Sequence, residues 1–173
     1  MNRVTTLAMS LLALSVSACK DLSTETDEWP LNSELIYYNS FESKADTIGW
    51  RTLASFELVL DAPVGGGSQS VRVSGGCPVP HATTRVNNHG KAGKYYLECF
   101  GKNLANGGSV QLNTPSEPFT GKVVHISDTN WVRYRAEGSL ECSVNDTLQL
   151  TIHAGGDNPS AVLVDCIRIY RSN

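Results

Sequence analysis

Polar side chains that can make several hydrogen bonds recur at alternate positions in three short segments. Amide and guanidinium groups each offer two or more donors or acceptors in a fixed geometry. Apolar residues fill the intervening positions, so the polar groups share one side of an extended strand. The candidate binding residues are Arg85, Asn87, Gln111, Asn113, Gln149 and His153. This alternation predicts a half-buried sheet with a polar outer face.

Motifs for catalysis or zinc binding are missing from the sequence. Neither the Gly-x-Ser-x-Gly turn of serine hydrolases nor the His-Glu-x-x-His pair of zinc proteases occurs. The four histidines are scattered, and Cys77 and His81 form a lone Cys-x3-His spacing, which does not make a zinc site. No pair of carboxylates stands out as the acid and base of a glycosidase. We therefore expect no catalytic residues, and a small hydrolase is the last of the alternatives.

Four cysteines could form disulfides: Cys77, Cys99, Cys142 and Cys166. An exported compartment permits disulfides, and four cysteines allow three pairings between which a sequence cannot choose. We expect two disulfides. The alternative is that one or more of these residues is a small buried hydrophobe, as cysteine often is, and Cys99 lies within an apolar strand.

The first nineteen residues follow a secretory pattern. Arg3 precedes the apolar run 4–16, which is shorter than the roughly 20 residues of a membrane span. Val16-Ser17-Ala18-Cys19 resembles the lipobox of bacterial lipoproteins, which implies cleavage before Cys19 and attachment of acyl chains such as palmitate. Ordinary secretion is the alternative. Residues 1–18 are thus a predicted lipoprotein signal peptide, and residues 19–33, which are polar and acidic, a predicted lipidated end and flexible tether.

Residues 34–173 are predicted to form one all-β domain. Short strands alternate with turns rich in Gly, Asn, Asp and Pro, and no segment shows a sustained helical period. This spacing is typical of sandwiches and barrels. We expect strands over 35–41, 50–60, 70–73, 82–87, 95–101, 109–113, 131–136, 148–153 and 161–170. The net charge of −3 and the absence of a Lys/Arg cluster argue against a nucleic-acid partner.

The order of the strand motifs resembles that of carbohydrate-binding modules with a galactose-binding-like jelly roll. The likeness covers about residues 35–170. It rests on Asn39-Ser40-Phe41-Glu42, Gly49-Trp50, Gly67-Ser68-Gln69-Ser70-Val71-Arg72-Val73, Tyr95-Tyr96-Leu97-Glu98-Cys99-Phe100-Gly101-Lys102, Trp131-Val132-Arg133-Tyr134, Leu148-Gln149-Leu150-Thr151-Ile152-His153 and Val162-Leu163-Val164-Asp165-Cys166-Ile167-Arg168-Ile169. The resemblance implies a sandwich of two antiparallel sheets.

The resemblance also implies a structural calcium ion that ties the first strand to the last. The matching positions place Glu42 and Asp165 as metal ligands, with backbone carbonyls completing the shell. Calcium prefers six to eight oxygen ligands. The family's Asp-Asp pair is here Asp165-Cys166, and a thiol is a poor calcium ligand. The alternative is that both acids are ordinary surface or turn residues.

In such modules a sugar binds on the concave sheet or in the loops at one edge. The six polar candidates map to the concave sheet. An aromatic platform for the sugar's C–H face is usual but absent from their positions, and Trp50, Tyr96 or Tyr134 could serve from an edge. The alternative is a solvated sheet face with no ligand.

The sequence therefore leads to a lipid-anchored, non-catalytic glycan-binding lipoprotein, exported to the outer membrane or cell surface. Its expected partners are a polysaccharide or oligosaccharide and, through the lipid, the membrane. The alternative is a structural or adhesion lipoprotein that contacts protein or envelope polymer through the same sandwich.

Overall fold

Alternation of apolar and polar residues produces strands along the whole chain from Glu34 onward. A computed structural model describes Pro30 and residues 32–76, 79, 81–115, 117–156 and 159–173. A 3-10 helix spans Lys44–Thr47. The strands are β1 Glu34–Asn39, β2 Arg51–Thr52, β3 Ser55–Val59, β4 Ser70–Gly75, β5 His81–Val86, β6 Gly93–Ala105, β7 Gly108–Thr114, β8 Glu117–Ile126, β9 Val132–Arg135, β10 Leu140–Cys142, β11 Leu148–Ala154 and β12 Ser160–Ser172.

These strands form two antiparallel sheets. The larger sheet has the order β10-β6-β12-β4-β3, with β1 also beside β12 and β9 also beside β6. The smaller sheet has the order β2-β5-β11-β7-β8. The predicted all-β sandwich of two antiparallel sheets is confirmed. None of the described segments is a helix with the length and apolarity to cross a membrane.

The hydrophobic core lies between the two sheets. Leu148, Leu150 and Ile152 of β11 are fully buried, and so are Tyr95 and Leu97 of β6 in the other sheet. Burial of each Leu or Ile side chain contributes about 1.5–3 kcal/mol. Because side chains alternate along a strand, inward apolar residues on β11 place Gln149, Thr151 and His153 on the opposite, outer surface.

One predicted strand proved to be two. Residues 50–60 form β2 in the smaller sheet and β3 in the larger sheet, with Leu53 and Ala54 between them. The backbone N–H of Leu53 donates to the His81 carbonyl at 2.9 Å, which extends the contact of β2 with β5 before the chain changes sheet. Strands β8 and β10 were not predicted.

Strand β12 is covered on both faces for half its length. Leu163 and Asp165 point away from the core, yet their exposure is 2% and 0%. The segment that follows β3 lies over Asp165, because an added Cβ on its buried Gly66 would lie 2.5 Å from Asp165 Oδ2. Asp61 holds this segment in place, because its carboxylate accepts hydrogen bonds from Lys102 Nζ and Trp131 Nε1, both at 2.8 Å.

Candidate functional site

The outer surface of the smaller sheet carries polar side chains in three rows across the strands. We call this surface the polar face. The antiparallel register aligns Arg85 with Gln149 and Asn113, Thr83 with Thr151 and Gln111, and His81 with His153 and Ser109. At the two edges, Arg51 pairs with Thr83, Val123 with Gln111, and His125 with Ser109. The polar face therefore consists of Arg51, His81, Thr83, Arg85, Ser109, Gln111, Asn113, Val123, His125, Gln149, Thr151 and His153.

A cavity of about 300 Å³ opens at the β2 end of the polar face. Its walls are formed by Gly49, Arg51, Thr83, Thr84, Arg85 and Gln149. This volume lies at the lower end of the range for small-ligand sites. The arginines and Gln149 supply donors, Gln149 and the threonines supply acceptors, and the walls suit a hydroxylated ligand.

Four of the six predicted binding residues are accessible on the polar face. Arg85 is exposed, while Gln111, Gln149 and His153 are half-buried. Of these, Arg85 and Gln149 line the cavity, and Gln111 and His153 lie farther along their strands. The prediction that these side chains share one solvent-facing surface matches their placement.

Of the other two predicted binding residues, Asn113 is covered by a neighbouring strand, whereas Asn87 is exposed just beyond the end of β5. Asn113 is 5% exposed, because β8 passes close to it at Gly121, where a Cβ would lie 2.8 Å from Asn113 Cβ. Asn87 follows β5 rather than belonging to it, and its Oδ1 accepts a hydrogen bond from the His89 N–H at 2.7 Å. The expectation that Asn113 is accessible was therefore wrong, because a pattern within one strand does not show how its neighbour packs, and the assignment of Asn87 stays a prediction.

The structure brings together two histidines that the sequence separates. The rings of His81 and His153 lie 5.7 Å apart between centroids, and His81 Nδ1 is 3.2 Å from the Val79 carbonyl oxygen. Burial, and secondarily the charge on His81, lowers the pKa of His153. Only the register of β5 against β11 reveals this pair; the interpretation of the histidines as scattered was wrong for these two.

Two of the three predicted aromatic platforms, Trp50 and Tyr96, lie away from the polar face. Trp50 packs against the core, stacked on Phe56 at 5.5 Å between ring centroids. Tyr134 also packs against the core, and its hydroxyl accepts a hydrogen bond from the Asp128 N–H at 3.1 Å. Tyr96 lies on the larger sheet, paired with Tyr170. Tyr134 also lines a pocket with Val123 and His125 at the β8 edge of the polar face, so its service as an edge platform stays a prediction.

Both predicted metal ligands contact the same turn. Glu42 accepts hydrogen bonds from the Ser68 N–H and hydroxyl, both at 3.0 Å. A Cβ on Gly67 would overlap the Glu42 carboxylate, and one on Gly66 would lie 2.5 Å from Asp165 Oδ2. The two acids, more than a hundred residues apart in the chain, are thus held against adjacent glycines.

Asp165 is a buried carboxyl with an unsatisfied oxygen. Its Oδ1 accepts the Cys166 N–H at 2.6 Å, whereas Oδ2 has no hydrogen-bond partner among the described residues. Burial chiefly, with the negative charge of Glu42 adding to it, raises the pKa of Asp165 to about 7. A hard cation would satisfy Oδ2 and offset the repulsion between the two acids. The residues therefore fit a calcium ion, although no cluster of three or more His, Cys, Asp or Glu occurs in the described part of the chain.

The expected two disulfides do not form among the described cysteines. Cys99, Cys142 and Cys166 are free thiols, all buried, and Cys77 lies outside the described residues. Cys99 points into the core, while Cys166 lies at a bulge of β12 and points outward, with its Sγ 3.6 Å from the Tyr38 hydroxyl. Cysteines on opposite sides of a sheet cannot form a disulfide without backbone movement. The alternative of a small buried hydrophobe holds for Cys99.

Comparison with solved structures places this sandwich among known folds. The chain superposes on the C-terminal family 22 carbohydrate-binding module of Clostridium thermocellum Xyn10B with a TM-score of 0.59 and 15% identity, over 80% of this chain and 95% of that one. Its fold is that of carbohydrate-binding modules.

Two further modules show the same jelly roll. The CBM22-1 xylan-binding domain of Paenibacillus barcinonensis Xyn10C aligns with a TM-score of 0.58 and 16% identity, over 80% of this chain and 95% of that one. The family 11 module of Clostridium thermocellum, solved with a β-1,3-1,4-mixed-linked tetrasaccharide, aligns with a TM-score of 0.55 and 11% identity, over 79% and 94%. No family model and no curated protein matches the sequence.

Proposed function

We propose that the protein is a non-catalytic glycan-binding module whose ligand occupies the cavity on the polar face. The observation that carries the proposal is the position of this cavity, on a solvent-facing polar sheet of a fold shared with a xylan-binding domain. Arg85 and Gln149 lie directly opposite each other on β5 and β11. Their planar groups suit multidentate hydrogen bonds to neighbouring sugar hydroxyls.

A glycan array with the full chain tests the proposal. Arg85→Ala and Gln149→Ala should each abolish or strongly reduce binding, because each removes a multidentate partner from the cavity wall. Lys94→Ala is the matched control: Lys94 is exposed on the larger sheet, and binding should be unchanged. Failure of the unaltered chain to retain any glycan at millimolar concentration would contradict the proposal.

We also propose that a structural calcium ion binds between Glu42 and Asp165. The unsatisfied Oδ2 of Asp165 and the shared Gly66–Gly67 turn support this proposal. Bound calcium would supply positive charge where the first and last strands meet, and both carboxylates would act as ligands. The melting temperature should rise with calcium and fall with a chelator. Asp165→Asn should remove that difference, and an unchanged melting temperature in the native chain would count against the site.

The third part of the proposal is lipid anchoring at Cys19 with export to the outer membrane or cell surface. Cys19 and residues 1–18 lie outside the described residues, and the support is the lipobox-like segment ending at Cys19. Several acyl chains make membrane attachment durable where one gives only marginal binding. Labelling with a fatty-acid analogue should mark the native chain and not Cys19→Ala; a label that survives the substitution would refute the anchor.

A further inference from the structure

The cavity on the polar face carries two arginines close together. Arg51 pairs with Thr83, and Arg85 lies two residues farther along the same strand. The two residues are therefore diagonal neighbours on one face, within reach of long side chains. Both are exposed, and both line the cavity. The cavity wall thus holds two positive charges.

Neither arginine is neutralised by a carboxylate. Among the described residues, Arg51 and Arg85 form no ion pair and no side-chain hydrogen bond. The larger sheet shows the contrasting arrangement. There Arg133, Arg135 and Arg168 surround the carboxylate of Glu98, and Arg171 lies 3.5 Å from Glu34.

Among the residues that the structure describes, the rest of the polar face carries no acidic side chain. Its remaining side chains are three imidazoles, hydroxyls, amides and one valine, although acids outnumber Lys and Arg in the whole chain by 17 to 14. A surface of one sign on a protein of the opposite net charge raises the local concentration of oppositely charged ligands. The face therefore favours an anion.

Among the described residues, no ring of Phe, Tyr or Trp lines the cavity that contains Arg51 and Arg85. Trp50 and Tyr134 pack against the core, and Tyr96 lies on the larger sheet. Recognition in the cavity then depends on hydrogen bonds and charge. Guanidinium groups bind carboxylate and sulfate oxygens through two parallel N–H donors, which gives both strength and orientation.

We infer that the cavity takes an acidic glycan, one whose sugar units carry carboxylate or sulfate groups, with the anionic group seated between Arg51 and Arg85. This inference rests on the proposed function and narrows its ligand class. Gln149 would bind neighbouring hydroxyls of the same sugar.

Paired ligands provide the test. Binding of the full chain to oligogalacturonate is compared with binding to the same oligosaccharide after its carboxyls have been reduced to neutral alcohols. A sulfated oligosaccharide forms a third arm, which distinguishes carboxylate from sulfate. We expect an acidic ligand to bind at least about tenfold more tightly than the reduced one, the change that corresponds to loss of one charge-assisted hydrogen bond. The preference should weaken as ionic strength rises.

Substitutions of the two arginines test whether they cause the preference for an acidic ligand. Arg51→Gln and Arg85→Gln should each remove most of it, while Arg85→Lys should retain part, because a lysine keeps the charge without the bidentate geometry. Lys94→Gln on the larger sheet removes the same charge and should change nothing. An equal effect of Lys94→Gln would overturn the inference, because the preference would then reflect only overall charge.

The outcomes separate the two proposals. Equal or tighter binding of neutral glycans overturns the acidic-glycan inference and leaves glycan binding in place. If the chain binds no acidic or neutral glycan, either in these comparisons or on the glycan array, both the acidic-glycan inference and the proposed glycan binding are overturned.

Discussion

Glu98 illustrates how one buried carboxylate organises a sheet surface. It is fully buried on the outer side of β6, where register places it beside Arg168 of β12 and Arg135 of β9. The nitrogen–oxygen distances to Arg133, Arg135 and Arg168 are 3.0, 2.9 and 3.2 Å. The guanidinium of Arg168 also lies 5.3 Å from the ring centre of Tyr38. Three cations therefore compensate for the desolvation of a single anion.

Replacing Glu98 by a neutral residue should lower the free energy of unfolding. Glu98→Gln leaves three partly buried guanidinium groups facing a neutral amide, and we expect unfolding free energy to fall by about 3–5 kcal/mol. Urea denaturation measures the change. Glu141→Gln, an exposed acid on β10 of the same sheet, is the control and should stay within about 0.5 kcal/mol. A loss below about 1 kcal/mol for Glu98→Gln would contradict the role assigned to it.

His153 should make stability depend on pH. Burial and the nearby His81 lower its pKa in the folded chain below the ordinary value of 6.5, so the unfolded chain takes up a proton first as the pH falls. The contribution of neutral His153 is therefore complete above pH 6.5 and is lost progressively below it. Denaturation at a series of pH values should show this loss, and His153→Gln should reduce it. His125→Gln, which removes an exposed imidazole of the same face, should leave this loss of stability unchanged. If His153→Gln also left the dependence of stability on pH unchanged, the assignment to His153 would be contradicted.

Among the strands, β7 depends on a close approach that only glycine permits. Gly108 opens β7 beside Ala154 of β11. A Cβ there would overlap the carbonyl oxygen of His153 and lie 2.5 Å from Val162 Cγ1. The start of β7 thus packs directly on both sheets, at the end of the row that carries the histidine pair.

Gly108→Ala should push β7 away from its neighbours. Overpacking against backbone typically costs about 1–3 kcal/mol, and we expect a loss of that size in thermal or urea unfolding. Gly156→Ala is the matched control, because its added Cβ would meet nothing nearer than Val79 Cγ2 at 3.5 Å. Equal stability of the two variants would contradict the close packing at Gly108.

Strand register also decides which polar residues reach solvent. The alternation in β7 places Gln111 and Asn113 on the same face, yet β8 shifts register between Leu112 and Thr114 and covers the second of them. A pattern within one strand contains no information about an irregularity in its neighbour. Strands β5, β7 and β11 of the polar face were therefore predicted correctly, whereas the accessibility of Asn113 was not.

The whole molecule holds its two sheets together without disulfides among Cys99, Cys142 and Cys166. Burial raises the pKa of Cys142 and of Cys166 to about 11, and that of Cys99 still further. Neutral, buried thiols react slowly. The cohesion of the sandwich in this region comes from the core and from strand pairing.

We therefore expect a reducing agent to leave the melting temperature unchanged. Alkylation of the native chain should be slow at these three cysteines and complete in denaturant, with peptide mapping as the readout. The denatured sample serves as the control for reagent access. A disulfide-linked peptide pair that joins any two of the three would contradict this arrangement.

The order of motifs and the two-residue alternation were enough to predict a two-sheet sandwich with a polar outer surface through Arg85, Gln111 and Gln149. Local sequence sets these features, because side-chain direction along a strand follows from the pleat alone. Tertiary structure decided the division of residues 50–60 between two sheets, the pairing of His81 with His153, and the burial of Asn113. It also decided that Glu98 gathers three arginines while Arg51 and Arg85 face solvent without an acid. Such contacts join residues far apart in the chain, and their register depends on the packing of the whole sandwich.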